Sequence, residues 1–439
     1  MGQVRWVGWT MAIATALVVA GGQRARAQDQ NPGDASPADI TSHLPASDKP
    51  AAIVVYPKVV VDDSAGVDTV IRLTNTDRVN PVNVHCFYLD ANSHCSGGSN
   101  EGGICSTATD CPLGFCIPSW NETDFDIVLT GGQPIQWEAS EGISQEDLIG
   151  TGFCKFNPFF KCAVDADCRP FPGGPAPSPS NPTGACTQNN IGTRVPPVPE
   201  SPFIGELKCI ETDANHNPIA LNDLKGEGLI ETVTDLADTA DADFDVASYN
   251  AIGLVATGNP ITGNPLTLGG DPDTAEYNGC PNFLILNHFF DLAEDPVPGT
   301  DDEITTDITL VPCSEDLQHQ IPGEAVVQYL VFNEFEQRIS FSNSVRCFEE
   351  IQLCNIQTSQ CSRSIWSVGV AGSLTGQTRL NPIGVSTTNP PGIASGLVGI
   401  AIEKHAGPSF TRTAAFALDM SGLRVNPDGS SAVDTITLP

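Results

Sequence analysis

The chain has 439 residues, 53 Asp and Glu against 20 Lys and Arg for a formal net charge of -33, and 15 cysteines. A surface of this sign repels phosphate backbones and anionic lipid heads, which argues against nucleic acid and a bare membrane as partners and favours cations. The length exceeds what one ordinary core supports, so two domains are expected. Enrichment in Val, Ile, Thr, Gly and Pro without helix-periodic runs marks an all-β chain.

At the N-terminus, Arg5, an apolar run from Val7 to Ala20 and Ala25-Arg26-Ala27 before Gln28 form the three regions of a secretory signal peptide. Residues 1–27 are therefore set apart from the fold. Their removal takes away three arginines and no acid, deepening the formal charge from -33 to -36. No later stretch has the roughly 18 uninterrupted apolar residues of a spanning helix. The C-terminal Asp434-Thr-Ile-Thr-Leu-Pro439 carries neither an anchor tail nor a terminal aromatic. The expectation is an exported protein, extracellular or at the cell surface, with the periplasm as the other compartment, and without a membrane span.

Residues 28–50 are polar and read as a flexible leader. Residues 51–256 then show short β-branched runs punctuated by Gly, Asn, Asp and Pro: Ala52–Tyr56, Lys58–Asp62, Thr69–Thr74, Val82–Leu89, Phe125–Leu129, Ile135–Trp137, Phe203–Ile210, Gly228–Val233 and Tyr249–Val255. Runs of this kind are strands of a sandwich. Two cysteine clusters interrupt them as loop insertions, at 95–116 and 154–186. Residues 257–280, with Asn259-Pro260 and Asn264-Pro265, read as a linker. Residues 281–439 repeat the succession: Phe283–Leu286 answers Ile53–Tyr56, Asp307–Leu310 answers Thr69–Leu73, and Val326–Phe332 answers Val82–Leu89. Further on, Leu397–Gly399 with Ile402-Glu403 answers Phe203–Gly205 with Ile210-Glu211, and Thr413–Leu418 answers Asn250–Val255. This is an internal duplication, and the expected architecture is two tandem Ig-like antiparallel β-sandwich domains, the first with two disulfide-rich insertions.

The clusters share one plan. The first is Cys95, Cys105, Cys111 and Cys116; the second is Cys154, Cys162, Cys168 and Cys186; each contains a Cys-x5-Cys step ending in Asp-Cys. In an exported chain such clusters are disulfide-closed knobs. Two bridges are expected within each, with Cys86–Cys209, Cys313–Cys347 and Cys354–Cys361 elsewhere and Cys280 unpaired. The odd cysteine has two readings, an intermolecular bridge or an inert buried thiol. Zinc is disfavoured because no Cys-x2-Cys pair occurs. The Pro-rich tract 169–202, with ten prolines, should run extended.

Asp235, Asp238, Asp241, Asp243 and Asp245 alternate along one loop. Asp238, Asp241, Asp243 and Asp245 are the candidate calcium ligands, since calcium takes six to eight hard oxygens, although the central Gly and closing Glu of an EF-hand are missing. Asp165 and Asp167 read as turn residues. No zincin, nucleophile-elbow, phosphate-loop, dinucleotide or haem motif is present. Among the histidines, His85, His94 and His288 read as structural. A hydrolase needs only two carboxylates, which sequence neither finds nor excludes. Trp137 and Trp366 read as core residues, while Trp120 beside the first knob is the candidate exposed platform.

The Asp110-Cys-Pro-Leu-Gly-Phe-Cys116 stretch resembles short disulfide modules of secreted bacterial proteins. Leu330–Arg338, Cys347-Phe348 and Leu374–Arg379 resemble uncharacterised exported β-rich bacterial proteins. The resemblance spans about a third of the chain and implies export, with no assigned activity. The functional expectation is a non-enzymatic cell-surface or extracellular structural or adhesion protein, binding a protein or polysaccharide and able to self-associate. The alternatives are a calcium-dependent carbohydrate-binding module and a secreted hydrolase using a carboxylate pair.

Overall fold

The computed structural model describes residues 44–117, 121–143, 195–234, 244–271, 273–297, 302–384, 393–407, 411–426 and 429–439, with backbone alone for three short strands between 152 and 187. The chain is all-β. Its first fifteen strands are β1 (Ile53–Val61), β2 (Val67–Asn75), β3 (Val82–Asp90), β4 (Ser93–Ser96), β5 (Ile104–Cys105), β6 (Phe115–Ile117), β7 (Asn121–Leu129), β8 (Pro134–Glu138), β9 (Gly152–Cys154), β10 (Asn157–Cys162), β11 (Cys186–Thr187), β12 (Phe203–Thr212), β13 (Leu224–Val233), β14 (Phe244–Asn250) and β15 (Ile252–Leu254). There follow β16 (Leu266–Gly269), β17 (Pro281–Phe289), β18 (Ala293–Glu294), β19 (Glu303–Pro312), β20 (Glu315–Asp316), β21 (Gly323–Asn333), β22 (Arg338–Arg346), β23 (Glu349–Gln352), β24 (Thr375–Gly384), β25 (Ile393–Ala394), β26 (Leu397–Ala406), β27 (Thr411–Ala417), β28 (Asp419–Leu423) and β29 (Val433–Thr437).

Two sheets, ordered β15-β1-β12-β3-β7 and β14-β13-β2-β8, share one core. Val54, Tyr56, Val84, Tyr88 and Leu207 of the first meet Ile71, Leu73, Trp137 and Ile230 of the second. A second pair runs β28-β17-β24-β21-β22 and β27-β26-β19-β23, its core built on Leu284, Leu286, Tyr329, Leu380, Ile308 and Leu310. The two orders correspond strand for strand. β1, β2 and β3 hold the places of β17, β19 and β21. Later in the chain β26 corresponds to β13 and not to β12, so the match of Leu397–Glu403 to Phe203–Glu211 is corrected. The counterpart of β12 is β24, whose Thr-Gly-Gln-Thr-Arg start hides the relation.

The order also departs from that of an immunoglobulin domain, where the first strand lies beside the second. Here β1 sits between β12 and β15, and β2 lies in the facing sheet. The Cys86–Cys209 bridge joins residues directly opposite each other on neighbouring strands of one sheet, whereas the immunoglobulin bridge crosses between sheets.

The sheet holding β1 is buried on both faces. Ile53, Val55, Phe87, Leu89 and Ile210 point away from the first core and pack with Val311, Leu317, Cys347, Val398 and Ile436 in a seam between the two pairs. That explains why β1 reads as a continuous apolar run rather than an alternating one. Residues 257–280, expected as a linker, belong to this seam. Leu266, Leu268 and Tyr277 are fully buried, and β16 pairs with β29 near the C-terminus. Glu276 holds the turns together, accepting from Thr262 N, Thr262 Oγ1 and Thr267 N at 2.6, 2.7 and 2.8 Å. The Gly and Pro residues do make turns, but the three apolar side chains between them dock the segment. Residues 44–50 are likewise attached, through the exchange of backbone hydrogen bonds between Ala46 and Gly253.

Candidate functional site

Of the four candidate calcium ligands, Asp238, Asp241 and Asp243 lie outside the described residues. Asp245 lies on β14 and accepts a hydrogen bond from Thr413 Oγ1 at 2.8 Å. That bond crosses from the first sheet pair to β27 of the second, a structural use of the carboxylate. Trp120 and the Asp165–Asp167 turn are also outside the described residues. Trp137 and Trp366 are buried, their indole N–H groups donating to Tyr88 Oη at 2.6 Å and Thr378 Oγ1 at 3.0 Å.

The cysteines pair as Cys86–Cys209, Cys95–Cys111, Cys105–Cys116, Cys280–Cys313 and Cys354–Cys361. Cys280 is therefore bridged, and among the described residues Cys347 is the buried free thiol. This corrects the expectation that Cys313 takes Cys347 and leaves Cys280 single. All three sulfurs belong to the seam cluster, so strand position alone does not choose between them. A Cβ on Gly396 would fall 2.5 Å from Cβ of Cys280, so this glycine lets the chain pass beside the bridge. Burial pushes the Cys347 thiol up to about 12. Cys347 is accordingly expected to resist iodoacetamide in the native protein and to react only on unfolding, before any reduction. Peptide mapping that finds Cys280 labelled instead would reverse the assignment. Backbone alone is described for Cys154, Cys162 and Cys186, and Cys168 lies outside the described residues.

The first knob is a small disulfide-closed sheet with a largely exposed surface. Its sheet runs β5-β4-β6, with Cys95 opposite Cys116 and Ser93 opposite Cys105. The second cluster repeats this backbone plan in the order β10-β9-β11, with Cys154 opposite Cys186 and Gly152 opposite Cys162. In the first knob, the Asp of the Asp-Cys step is a turn clamp. Asp110 Oδ2 accepts from Ser106 N and Thr107 N at 2.9 and 2.8 Å, which holds its carboxyl below the usual range. Glycines let its two loops touch backbone to backbone: a Cβ on Gly98, at φ +82°, or on Gly114 would lie 2.2 Å from a carbonyl oxygen of the opposite loop.

With its interior occupied by disulfides, the knob turns its apolar side chains outward. Leu113 is 99 % exposed and Phe115 74 %, and Ile104 and Ile117 are also exposed. No Lys or Arg occurs from Ser93 to Ile117. The base of the knob is fastened polar-side in. Asn92 Nδ2 donates to Glu200 Oε1 at 2.6 Å and to Pro202 O at 2.9 Å, and His94 Nε2 lies 2.9 Å from Glu200 Oε2. Burial pushes nearby Asp90 up to about 7.

Two described groups mix imidazole and carboxylate at metal-ligand spacing: Asp90, His94 and Glu200 at the base of the knob, and His85, Asp126 and His216 on β3, β7 and the turn after β12. Nitrogen donors in both sets suit a borderline transition cation better than calcium, which prefers oxygen throughout. The first set already serves as the fastening described above. In the second, His85 Nε2 lies 3.2 Å from Asp124 Oδ2 and His216 Nε2 lies 3.6 Å from Asp126 Oδ2.

A cleft of about 480 Å³ over β17, β21 and β24 contains two carboxylates, Glu334 and Glu403. Glu334 accepts from the N–H and hydroxyl of Thr375, which hold it below the usual carboxylate range. Glu403 Oε1 accepts from His405 Nε2 at 2.9 Å. A general acid for glycoside cleavage needs the opposite, a carboxyl held up by its surroundings. Another cleft, about 510 Å³, has Arg72, Gln136, Lys225 and Glu227 in its lining, with Glu227 its single carboxylate. Among the described residues no helix is long and apolar enough to cross a membrane. No protein-family model matches the chain, and no curated protein matches it.

Proposed function

We propose that this chain is a non-enzymatic exported protein, two tandem sandwiches that act at the cell surface or in the extracellular space as a structural or adhesive element, with the first knob as the contact point. The observation that carries this reading is the outward turn of Leu113 and Phe115 on a loop cross-linked by two disulfides. Large apolar side chains on a rigid support lose little entropy on binding, which is how anchor residues of interfaces work. The partner is a protein surface with an apolar recess and a basic border. The recess answers the Leu113 and Phe115 side chains; the border answers a knob with Glu101 and Asp110 and no cation. The seam between the sheet pairs supports the same reading, because it presents the knob on one stiff body.

The test replaces Leu113 and Phe115 by Ser in the full chain and follows its distribution between cell-surface and culture-fluid fractions. Both side chains are solvent-exposed, so folding and the knob bridges are expected to be unaffected. Loss of most of the surface-retained fraction is the expected result. Retention at the wild-type level would remove the knob as the contact point.

A further inference from the structure

The densest unused chemistry lies in the seam. Lys208 leaves β12 on the seam face, with Val55 and Phe87 opposite it on the two neighbouring strands, both buried there. Its Nζ lies 2.6 Å from Oε1 of Glu315 on β20 and 2.9 Å from Oε1 of Glu206. All three side chains are at most 1 % exposed. The ammonium donates to Glu206 Oε1, while Glu206 Oε2 and both carboxyl oxygens of Glu315 have no hydrogen-bond partner, the contact to Glu315 being an ion pair. One ammonium facing two carboxylates would leave a net buried negative charge, which a surrounding this dry disfavours strongly. One glutamate therefore carries a proton. Burial works against the ammonium, but the two glutamates beside it hold the Lys208 pKa above its usual value, so the ammonium is the resting form; moving its extra proton to the other glutamate gives an amine and two carboxylic acids, all neutral, at no change in total charge.

We propose that Lys208 and Glu315 join as an intramolecular amide across the seam, with Glu206 as the proton carrier. The neutral Nζ attacks Cδ of protonated Glu315, whose Oε1 lies 2.6 Å from it. As the C–N bond forms, Glu206, already a neutral acid, gives its proton to the departing hydroxyl, which leaves as water, and takes up at its other oxygen the proton that the amine loses. An amine N–H and a carboxyl C–OH are consumed; an amide and one water are produced, and no oxidant, metal or external reactant takes part. The product removes the ionisable lysine and one acid from the apolar seam. It also ties β12 of the first sheet pair to β20 beside the second. This bond is independent of what the knob binds.

The test is peptide mass spectrometry of the full secreted chain after reduction, alkylation and digestion. The expected result is a peptide containing Lys208 joined to one containing Glu315, lighter than their sum by one water, with complete loss of the free Lys208 peptide. Recovery of Lys208 as a free lysine in the wild-type digest would overturn the proposal, however any variant folds. Glu206→Gln is expected to abolish the joined peptide while the Cys86–Cys209 bridge still forms. Joined peptides at the wild-type level in that variant would overturn the role given to Glu206.

Discussion

Lys208→Met is expected to lower global stability by about 3–5 kcal/mol, the usual result of taking one partner from a buried charged group. It leaves Glu206 and Glu315 facing each other in an apolar seam. Burial pushes Glu206 up to about 8 even with the lysine beside it, and without the lysine both carboxyls hold their protons to higher pH still. A carboxyl whose folded pKa is raised binds more protons in the native state than in the unfolded one. The stability this confers is complete below the ordinary carboxylate range and is lost as pH rises through the folded value. The deficit of Lys208→Met should therefore be small near pH ~4 and largest above about 8. Melting temperatures of variant and wild type across that range measure it, and a deficit that shrinks towards alkaline pH would contradict the account. Replacing Glu206 and Glu315 by Leu together with Lys208→Met should recover much of the loss, because well-packed apolar groups often equal a buried ionic cluster. An amide between Lys208 and Glu315 would add its own contribution, so the range given for the single change is a lower bound.

The second large effect is expected at Cys86 and Cys209. Their bridge closes a loop of 123 residues in sequence separation, for which chain entropy gives about 4–5 kcal/mol. Cys354–Cys361 closes only 7, for which the same relation gives about 2.5 kcal/mol. Alanine pairs at the two sites should thus differ by about 2 kcal/mol in urea unfolding. The knob bridges inside the longer loop shorten its free contour only slightly, and loop entropy varies with the logarithm of length. Equal losses at the two sites would reject the loop-closure explanation.

Much of the fold was legible because burial gives a strand covered on one face a two-residue period and a strand covered on both, such as β1, a short continuous apolar run. The segments around Ile53–Tyr56, Thr69–Leu73 and Val82–Leu89 lie on β1, β2 and β3, and their proposed repeats lie on β17, β19 and β21, in equivalent places. The later match failed for a physical reason. β12 is covered on both faces and buried nearly throughout, although it carries Glu206, Lys208 and Glu211, whereas β24 exposes Arg379 and Ile383 on one face while burying Thr378 and Leu380 on the other. Apolar likeness therefore followed burial, which differs between the copies, and missed topology, which does not. The same effect disguised residues 257–280, whose turn residues were visible and whose docking partner β29 lies about 170 residues away.

The knob illustrates the division again. Its cysteine spacing and its Asp-Cys clamp could be read locally, since a closed loop this short contains its own partners. That Leu113 and Phe115 face solvent could not, because the run Pro-Leu-Gly-Phe-Cys has no period that distinguishes inside from outside. By itself, the sequence determined the all-β class, the acidic charge, the repeated succession of strands and the presence of disulfide clusters, all of which depend on composition and near neighbours. Only the tertiary structure decided that Cys280 takes Cys313, and that Lys208 meets Glu206 and Glu315 in one seam. Those outcomes depend on which faces of distant strands come together, and that is set by packing across sheets, over separations where local pattern carries no information.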